Sequence, residues 1–214
     1  MTRRRLTRAL IALTVPALLV PALASSATAA EAPSVPTLAQ VAKVYPFLDG
    51  GTADVTHEKV YEAGRNCKQG DPIKGARSKT ATYAAPMDSE SMDDYAVTGA
   101  KPAIVISAVR LPSAKIARSY LAGGRFEIKN CADKSELGAQ KSTYKIKTIA
   151  FKLDAPHWGY QISWKSHKTR TIVNALFARD GATVVSLMSF SLQGRQGPSV
   201  GKSIDLVALA LKSA

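Results

Sequence analysis

The segment of residues 197–203, Gly-Pro-Ser-Val-Gly-Lys-Ser, has the composition of a phosphate-binding loop, in which backbone amides and a lysine hold phosphate groups. A strand is predicted before this segment and a helix after it, as such a loop requires. However, the first glycine of the loop should stand at position 196, which is Gln196. Only eleven residues follow Ser203, too few for a later strand carrying a magnesium-binding aspartate. The sequence therefore predicts no nucleotide site, and we interpret the segment as a loop and a helix start.

Histidine-based chemistry has little support in the sequence. The three histidines are His57, His157 and His167, and none of them has the spacing of a zinc-binding motif. No G-x-S-x-G segment marks the nucleophile of a serine hydrolase. His157 stands between Pro156 and Trp158 and could line a pocket, although such a residue more often packs at the edge of a loop. We therefore predict no catalytic residue, no metal and no cofactor, while an active site assembled from distant residues stays open as the alternative.

An acidic cluster falls between the second and third predicted strands. Four carboxylates lie within seven residues, at Asp88, Glu90, Asp93 and Asp94. Carboxylate oxygens bind calcium, but this spacing does not fit an EF-hand and the turn-forming glycine is missing. We interpret the cluster as a solvated acidic loop.

A basic cluster falls on the predicted hairpins of the second half. Such cations could bind an anionic partner, or they could protect exposed strands from aggregation. Together with His157 and Trp158, the candidate ligand-binding residues are Lys145, Lys147, Lys165, Lys168 and Arg170.

The chain contains two cysteines, Cys67 and Cys131. The first thirty residues have the pattern of a secretory signal peptide, and an even number of cysteines in an exported chain predicts a disulfide. The bond would close a loop of about 65 residues. The alternative of a catalytic thiol lacks support, because neither cysteine has the flanking residues of a known nucleophile.

These residues would be positioned by alternating helices and strands. Helical spacing of apolar residues predicts a helix over 37–45 and a terminal helix starting at Pro198 or Ser199. Alternating or β-branched segments predict strands, and Asp180-Gly181 predicts a tight hairpin. The predicted strands cover 54–61, 79–85, 102–111, 143–153, 159–166, 171–179 and 183–192. The order predicts a single α+β domain over 37–214, with helices packed on a mainly antiparallel sheet and the 102–111 strand covered on both faces.

The middle helix begins after Pro112, with Ser113 as its N-cap. Ile116, Ala117, Tyr120 and Leu121 share one face. Two readings of its end stay open: the helix stops at Gly123-Gly124, or it continues and carries Cys131 on its far end.

The first thirty residues predict export. Arg3, Arg4, Arg5 and Arg8 precede an apolar run and the small residues Ala27-Thr28-Ala29, as in a secretory signal peptide covering 1–29. Residues 30–36 are expected to be a mobile N-terminus, and no later stretch is apolar enough to span a membrane. The full chain has a net charge of +13, and removal of the four leader arginines leaves +9, which favours encounters with anionic envelope components.

The order of elements resembles that of the PknH-like extracellular sensor domains of actinobacteria. The resemblance covers Thr37 to the end: a cysteine after an apolar helix, then long hairpins, then an Ala- and Leu-rich helix. Residues 177–185, Phe-Ala-Arg-Asp-Gly-Ala-Thr-Val-Val, are similar to the strand-turn-strand segment of that family. The resemblance implies an α+β sandwich, an extracytoplasmic location and a cleft for a ligand, and it implies no catalytic residue.

The combined prediction is a secreted, non-catalytic ligand-binding or sensor-like domain acting at or outside the cell envelope. Its partner would be an anionic envelope component or a small ligand, and the oligomeric state stays open. A secreted hydrolase with an unrecognised active site is the alternative, and a partner protein of another secreted protein is a third possibility.

Overall fold

A seven-stranded antiparallel sheet organises the chain in the computed structural model, which describes residues 32–63, 67–86, 103–131, 143–166, 169–192 and 199–214. The strands are β1 (Thr52–Thr56), β2 (Arg77–Ala84), β3 (Ala103–Arg110), β4 (Thr143–Thr148), β5 (His157–Ser166), β6 (Thr169–Asp180) and β7 (Thr183–Leu192). Their order across the sheet is β1-β2-β3-β7-β6-β5-β4, and every pair of neighbours is antiparallel. The predicted α+β fold with a mainly antiparallel sheet is confirmed.

Within the described part of the chain, three helices cover the sheet, two on one face and one on the other. They are α1 (Leu38–Val44), which a short 3-10 turn (Pro46–Leu48) follows, α2 (Ala114–Cys131) and α3 (Val200–Ser213). A side-chain cap marks the start of each of these helices. At α2 the Oγ of Ser113, the N-cap that the sequence predicts, accepts the backbone N–H of Ile116 over 3.3 Å. Thr37 forms a capping box with Gln40 at the start of α1, and the Oγ of Ser199 accepts the backbone N–H of Lys202 at the start of α3.

The first hydrophobic core lies between the sheet and the pair α1 and α3. Ile104, Ile106 and Leu187 pack from the sheet against Leu206 and Val207 of α3, and all five are fully buried. Successive side chains of a strand point to opposite faces of the sheet. Every second residue of β3 and β7 therefore faces this core.

A hydrogen bond between side chains joins the two helices of this layer. The hydroxyl of Tyr45, which follows α1, lies 2.9 Å from the Oγ of Ser203 in the first turn of α3. It also donates to the backbone oxygen of Ser199 over 3.0 Å. Burial raises the pKa of Tyr45, so its hydroxyl stays protonated and available to donate at neutral pH.

The second core lies between α2 and the opposite face of the sheet. Ala117 and Leu121 of α2 pack near Trp158, Tyr160 and Val184, which are all buried. The indole Nε1 of Trp158 donates to the backbone oxygen of Leu121 over 3.1 Å. β3 therefore has helices over both of its faces, as its two apolar sides predict.

α2 continues through its glycine pair and ends at Cys131, which decides between the two readings of the sequence. Glycine costs about 1 kcal/mol in a helix interior relative to alanine, so the pair needs a reason to be there. Close approach supplies it at Gly123, because a Cβ there would collide with the Cβ of Ala63. At Gly124 a Cβ would lie 3.6 Å from the ring of Trp158, an ordinary contact distance.

Two strands are shorter than predicted. β1 ends at Thr56, because Val60 leaves the sheet and its carbonyl accepts the N–H of Ile73 in the loop before β2. β4 ends at Thr148, and the apolar side chains of Ile149, Phe151 and Leu153 pack against the first core from a loop instead. The alternation of apolar residues in 149–153 therefore reflects side chains that a loop buries against the core, and it does not indicate a paired strand.

The hairpin between β6 and β7 is confirmed, but its turn is shifted by one residue. Asp180 is the last residue of β6 and pairs with Thr183, so the turn residues are Gly181 and Ala182. Gly181 has a φ of +50°, the left-handed conformation that glycine adopts at low cost.

Residues 32–214 form one compact unit that contains every described helix and strand. A hydrophobic core of its own is the feature expected of a part that folds independently, and this unit contains both cores.

Within residues 32–36, expected to be mobile, Val35 is buried in the first core and the carbonyl of Pro36 accepts the Tyr83 hydroxyl. The predicted signal peptide lies outside the described residues. Within the described ranges, no helix is long and apolar enough to cross a membrane.

Candidate functional site: a cleft between α2 and the sheet

A cavity of about 570 Å³ lies between α2, the second face of the sheet and the loop that joins β1 to β2. Its volume falls in the range of small-molecule sites. Most of its floor comes from β2, β3 and β7, at positions where the second core is interrupted by polar side chains. The lining residues are Glu58, Lys59, Val60, Tyr61, Glu62, Cys67, Lys68, Gln69, Ser78, Thr80, Ser107, Val109, Tyr120, Glu127, Cys131, Phe177, Val184, Ser186 and Met188.

The floor carries a row of hydroxyl groups across three neighbouring strands. Thr80, Ser107 and Ser186 occupy directly opposed positions on β2, β3 and β7, so their side chains point to the same face. The Oγ1 of Thr80 and the Oγ of Ser107 lie 2.8 Å apart and share a hydrogen bond. Each hydroxyl retains further lone pairs, so this row can hydrogen-bond a polar ligand without leaving a buried group unpaired.

The walls add aromatic and apolar surface above this floor. Tyr61 of the loop and Tyr120 of α2 both line the cavity, and Phe177 and Met188 extend the surface along the sheet. Burial raises the pKa of Tyr120, and the negative charge of nearby Glu127 raises it further. The phenol of Tyr120 is therefore neutral at physiological pH and can donate a hydrogen bond.

The roof is the loop of residues 57–76, of which 64–66 are not described. Its two arms pair with each other, since Glu62 N donates to Asp71 O over 2.9 Å and Ile73 N donates to Val60 O over 2.8 Å. The Oγ of Ser78 at the start of β2 donates to the backbone oxygen of Glu58 over 2.7 Å. These bonds hold the loop over the sheet, although its described residues form no strand.

A disulfide ties this roof to the end of α2. Cys67 and Cys131 are joined with their Cα atoms 5.3 Å apart, as the sequence predicts, and both line the cavity. Cys67 has a φ of +62°, a left-handed conformation that costs a non-glycine residue about 1 kcal/mol. The covalent link thus holds the loop in place at one side of the cleft.

A smaller cavity of about 240 Å³ continues the cleft along α2. Trp158, Leu121 and Ile128 line it, and Gly124 leaves the space beside the indole open. The Trp158 ring stacks on Phe177 with centroids 3.8 Å apart, so aromatic rings form much of this end of the cleft.

The charges around the cleft do not follow the basic character of the whole chain. The described lining residues include three carboxylates, on Glu58, Glu62 and Glu127, and two ammonium groups, on Lys59 and Lys68. The cleft therefore offers no excess of positive charge to an anionic ligand.

Of the candidate ligand-binding residues, the structure places Trp158 in the cleft and three others elsewhere. The ring nitrogens of His157 contact the backbone oxygens of Ala155 (2.7 Å) and Phe151 (2.9 Å), so this side chain holds a loop. Lys145 and Lys147 are exposed on the edge strand β4 and do not line the cavities. The side chains of Lys165, Lys168 and Arg170 lie outside the described residues.

The segment that resembles a phosphate-binding loop has a structural role where it is described. Ser203, which would bind magnesium in such a loop, is fully buried and hydrogen-bonded to Tyr45. The acidic cluster of residues 88–94 lies outside the described residues. Among the residues that are described, no group of three or more His, Cys, Asp or Glu side chains is placed to hold a metal ion.

Polar residues at covered positions indicate the cleft in the sequence, although no sequence motif does. Ser107 and Ser186 interrupt otherwise apolar strands on the face that α2 covers, and Tyr120 is the polar member of the apolar face of α2. A hydroxyl at a covered strand position needs a hydrogen-bonding partner. Such interruptions mark a cavity or a polar network, although they do not identify its roof.

The fold matches that of the extracellular domain of PknH from Mycobacterium tuberculosis with a TM-score of 0.52. The match covers 83% of this chain and 91% of that chain at 14% sequence identity. Since the identity is low, the likeness shows a common fold and not a common ligand. The resemblance to PknH-like sensor domains predicted from the sequence is confirmed at this level.

Two further solved structures match less well. A putative uncharacterized protein (Rv0999 ortholog) from Mycobacterium smegmatis has a TM-score of 0.41 at 12% identity, over 81% of this chain and 95% of that one. LpqN, described as involved in cell envelope biogenesis of M. tuberculosis, has a TM-score of 0.27 at 11% identity, over 76% and 80%. Neither similarity is close enough to carry an argument. No protein-family profile matches the chain, and no curated protein sequence matches it at a significant level.

Proposed function

We propose that this chain is an exported, non-catalytic, sensor-like domain that binds a small ligand in the cleft between α2 and the sheet. The cavity of about 570 Å³ is the observation that carries the proposal. The leader-like first thirty residues support export. The fold shared with an extracellular domain supports the same location.

The lining favours an uncharged ligand with hydroxyl groups and an apolar part. The row of Thr80, Ser107 and Ser186 offers hydrogen bonds, while Tyr61, Phe177 and Met188 offer apolar surface. A mostly apolar pocket with a few convergent polar groups is the usual composition of a small-molecule site. The three carboxylates of the lining outnumber its two ammonium groups, so the cleft does not favour an anionic ligand.

Among the described residues, the two cavities contain no histidine that could act as the general base of a hydrolase. His57 and His157 do not line either cavity, and the hydroxyls of Thr80 and Ser107 bond to each other. A serine or threonine nucleophile needs an adjacent base to become reactive. A binding role needs no such group, so it is the function that the geometry favours.

The proposal is tested with a pair of threonines on the same face of β2. Thr80 lines the cavity, whereas Thr82 is exposed and does not. Thr80→Leu removes the hydrogen bond to Ser107 and fills part of the cavity, while Thr82→Leu makes the same chemical change outside it. The probe is octyl glucoside, which has a hydroxylated ring and an apolar chain, measured by titration calorimetry below its micelle concentration.

We expect one bound probe per chain, with affinity reduced about tenfold or more by Thr80→Leu and unchanged by Thr82→Leu. Equal affinity in the two variants would show that the probe binds elsewhere. Failure of the wild-type chain to bind this probe or a panel of neutral glycosides and glycolipids would overturn the proposal.

A further inference from the structure

The outward face of α2 carries a continuous row of cations. Its exposed residues are Ala114, Lys115, Arg118, Ser119, Ala122, Arg125, Phe126, Lys129 and Asn130. At 100° per residue, the eight from Lys115 to Asn130 fall within an arc of about 140°, and the four cations span about 21 Å along the helix axis. We call Lys115, Arg118, Arg125, Lys129 and Phe126 the α2 stripe.

No carboxylate lies on the exposed arc of α2. Glu127, the acidic residue of this helix, belongs to the opposite arc and lines the cleft together with Tyr120. Hence the helix has two distinct sides, one facing the cavity and one carrying four positive charges. Aligned cations of this kind attract a surface of high negative charge density.

Phe126 distinguishes this surface from an ordinary solvated basic helix. Its side chain is 54% exposed, the highest value among the large apolar residues that the structure describes. On the helical projection it lies about 60° from Lys129 and about 20° from Lys115, within the same exposed arc, so a surface that covers this arc contacts the cations and the ring together. Cations that contact anionic headgroups and an aromatic ring that enters the interfacial region are features of segments that lie on a membrane surface.

We propose that the α2 stripe docks the domain on an anionic lipid surface, with the cations on the headgroups and the Phe126 ring in the interfacial region. The proposal does not depend on the cleft, because the stripe shares no residue with the cavity lining. It also assigns the expected anionic partner to a helix face rather than to the hairpins.

The test compares two pairs of charge reversals that change the net charge equally. Arg118→Glu/Arg125→Glu reverses the centre of the stripe, and Lys145→Glu/Lys147→Glu reverses two exposed lysines of β4. The 32–214 chain is sedimented with vesicles of phosphatidylglycerol and phosphatidylcholine, and with vesicles of phosphatidylcholine alone. Circular dichroism melting checks that each variant folds.

We expect binding to the anionic vesicles only, lost in 1 M salt, where screening reduces the Debye length to about 3 Å. Each removed cation lowers partitioning about fivefold, so the α2 pair lowers it at least about 25-fold. The β4 pair should lower it far less. Equal losses in the two pairs would show a diffuse charge effect and would overturn the assignment to α2.

Phe126→Ala separates a membrane from a soluble polyanion. We expect it to weaken vesicle binding roughly fivefold, whereas Phe47→Ala, at a ring 37% exposed that follows α1, should leave it unchanged. If Phe126→Ala has no effect on vesicle binding, while polyphosphate competes and depends on the same arginines, the partner is a soluble polyanion and the lipid proposal is wrong.

Discussion

Tyr83 shows at the scale of one residue what burial does to an ionisable side chain in this sheet. It is fully buried on β2, and its hydroxyl donates to the carbonyl of Pro36. Burial raises the pKa of Tyr83 to about 12, because an anion in this position would lose its hydration. The phenol is therefore neutral in the folded state over a wider pH range than in the unfolded chain.

This shift predicts a loss of stability in alkali. The unfolded chain releases the phenol proton near pH 10, and the folded chain retains it to about pH 12. Between these values the unfolded state binds fewer protons, so the free energy of unfolding falls as pH rises, by up to about 1.4 kcal/mol per pH unit. Urea denaturation at pH 9, 10 and 11 measures this slope.

Tyr83→Phe is the control for the other groups that titrate in alkali. The variant loses the hydrogen bond to Pro36 at every pH, but it also loses the titrating phenol. We expect the difference in unfolding free energy between wild type and variant to shrink from pH 9 to pH 11. A constant difference over this range would contradict the raised pKa.

At the scale of elements, the glycine pair of α2 predicts opposite effects of one substitution at adjacent positions. Gly124→Ala should raise the free energy of unfolding by about 0.5–1 kcal/mol, because helix propensity improves and the new Cβ would lie 3.6 Å from Trp158. Gly123→Ala should lower it by roughly 1–3 kcal/mol, because its Cβ collides with Ala63.

Urea unfolding of the two variants under the same conditions is the measurement. Stabilisation by both alanines would show that the loop before β2 moves away from α2 at no cost. Destabilisation by both would show that the apolar end of the cleft cannot take even one methyl group.

The elements also show which parts of the fold the sequence could predict. Four strands could be predicted from their sequences, namely β3, β5, β6 and β7. Their runs of β-branched and aromatic residues favour an extended conformation and pack on the faces of a sheet. The end of α2 could not be predicted, because Gly123 indicates the end of a helix unless its close approach to Ala63 is known. Likewise, the alternation in 149–153 could not distinguish a strand from a loop packed on the core.

At the scale of the whole molecule, removal of the disulfide should lower both the stability of the domain and its affinity for a ligand in the cleft. Cys67 and Cys131 close a loop across 64 positions of sequence, so the chain-entropy model gives about 4 kcal/mol for removing the link with Cys67→Ser/Cys131→Ser. The roof of the cleft also loses its tether to α2. We therefore expect weaker binding of the octyl glucoside probe as well as a lower denaturation midpoint.

Reduced wild-type protein is the matched control, since it should behave as the double variant does. Thiol titration of unreduced, denatured protein should find no reactive thiol in the wild type. Two reactive thiols would mean that the pair is open, and unchanged probe affinity in the variant would mean that the loop holds its position without the bond.

The whole-molecule arrangement explains why the cleft was only partly predictable. The cysteine pair and the helix-sheet layers follow from composition and periodicity, and Trp158 was a candidate residue that lines the cleft. The lining comes from β2, β3, β6, β7, α2 and a loop, so no short motif contains it. The cations of the hairpins form a basic cluster that is visible in the composition of that segment. The residues of the α2 stripe are separated in sequence and lie on one face only when the segment is a helix.

The contact of Tyr45 with Ser199 and Ser203 has a consequence for how the domain opens. It joins the first and last described helices, whose residues also share one core with the centre of the sheet. Neither helix can detach without breaking a buried hydrogen bond and uncovering the same apolar surface. α1 and α3 therefore belong to a single cooperative unit, so local fluctuations that expose one of them must expose the other.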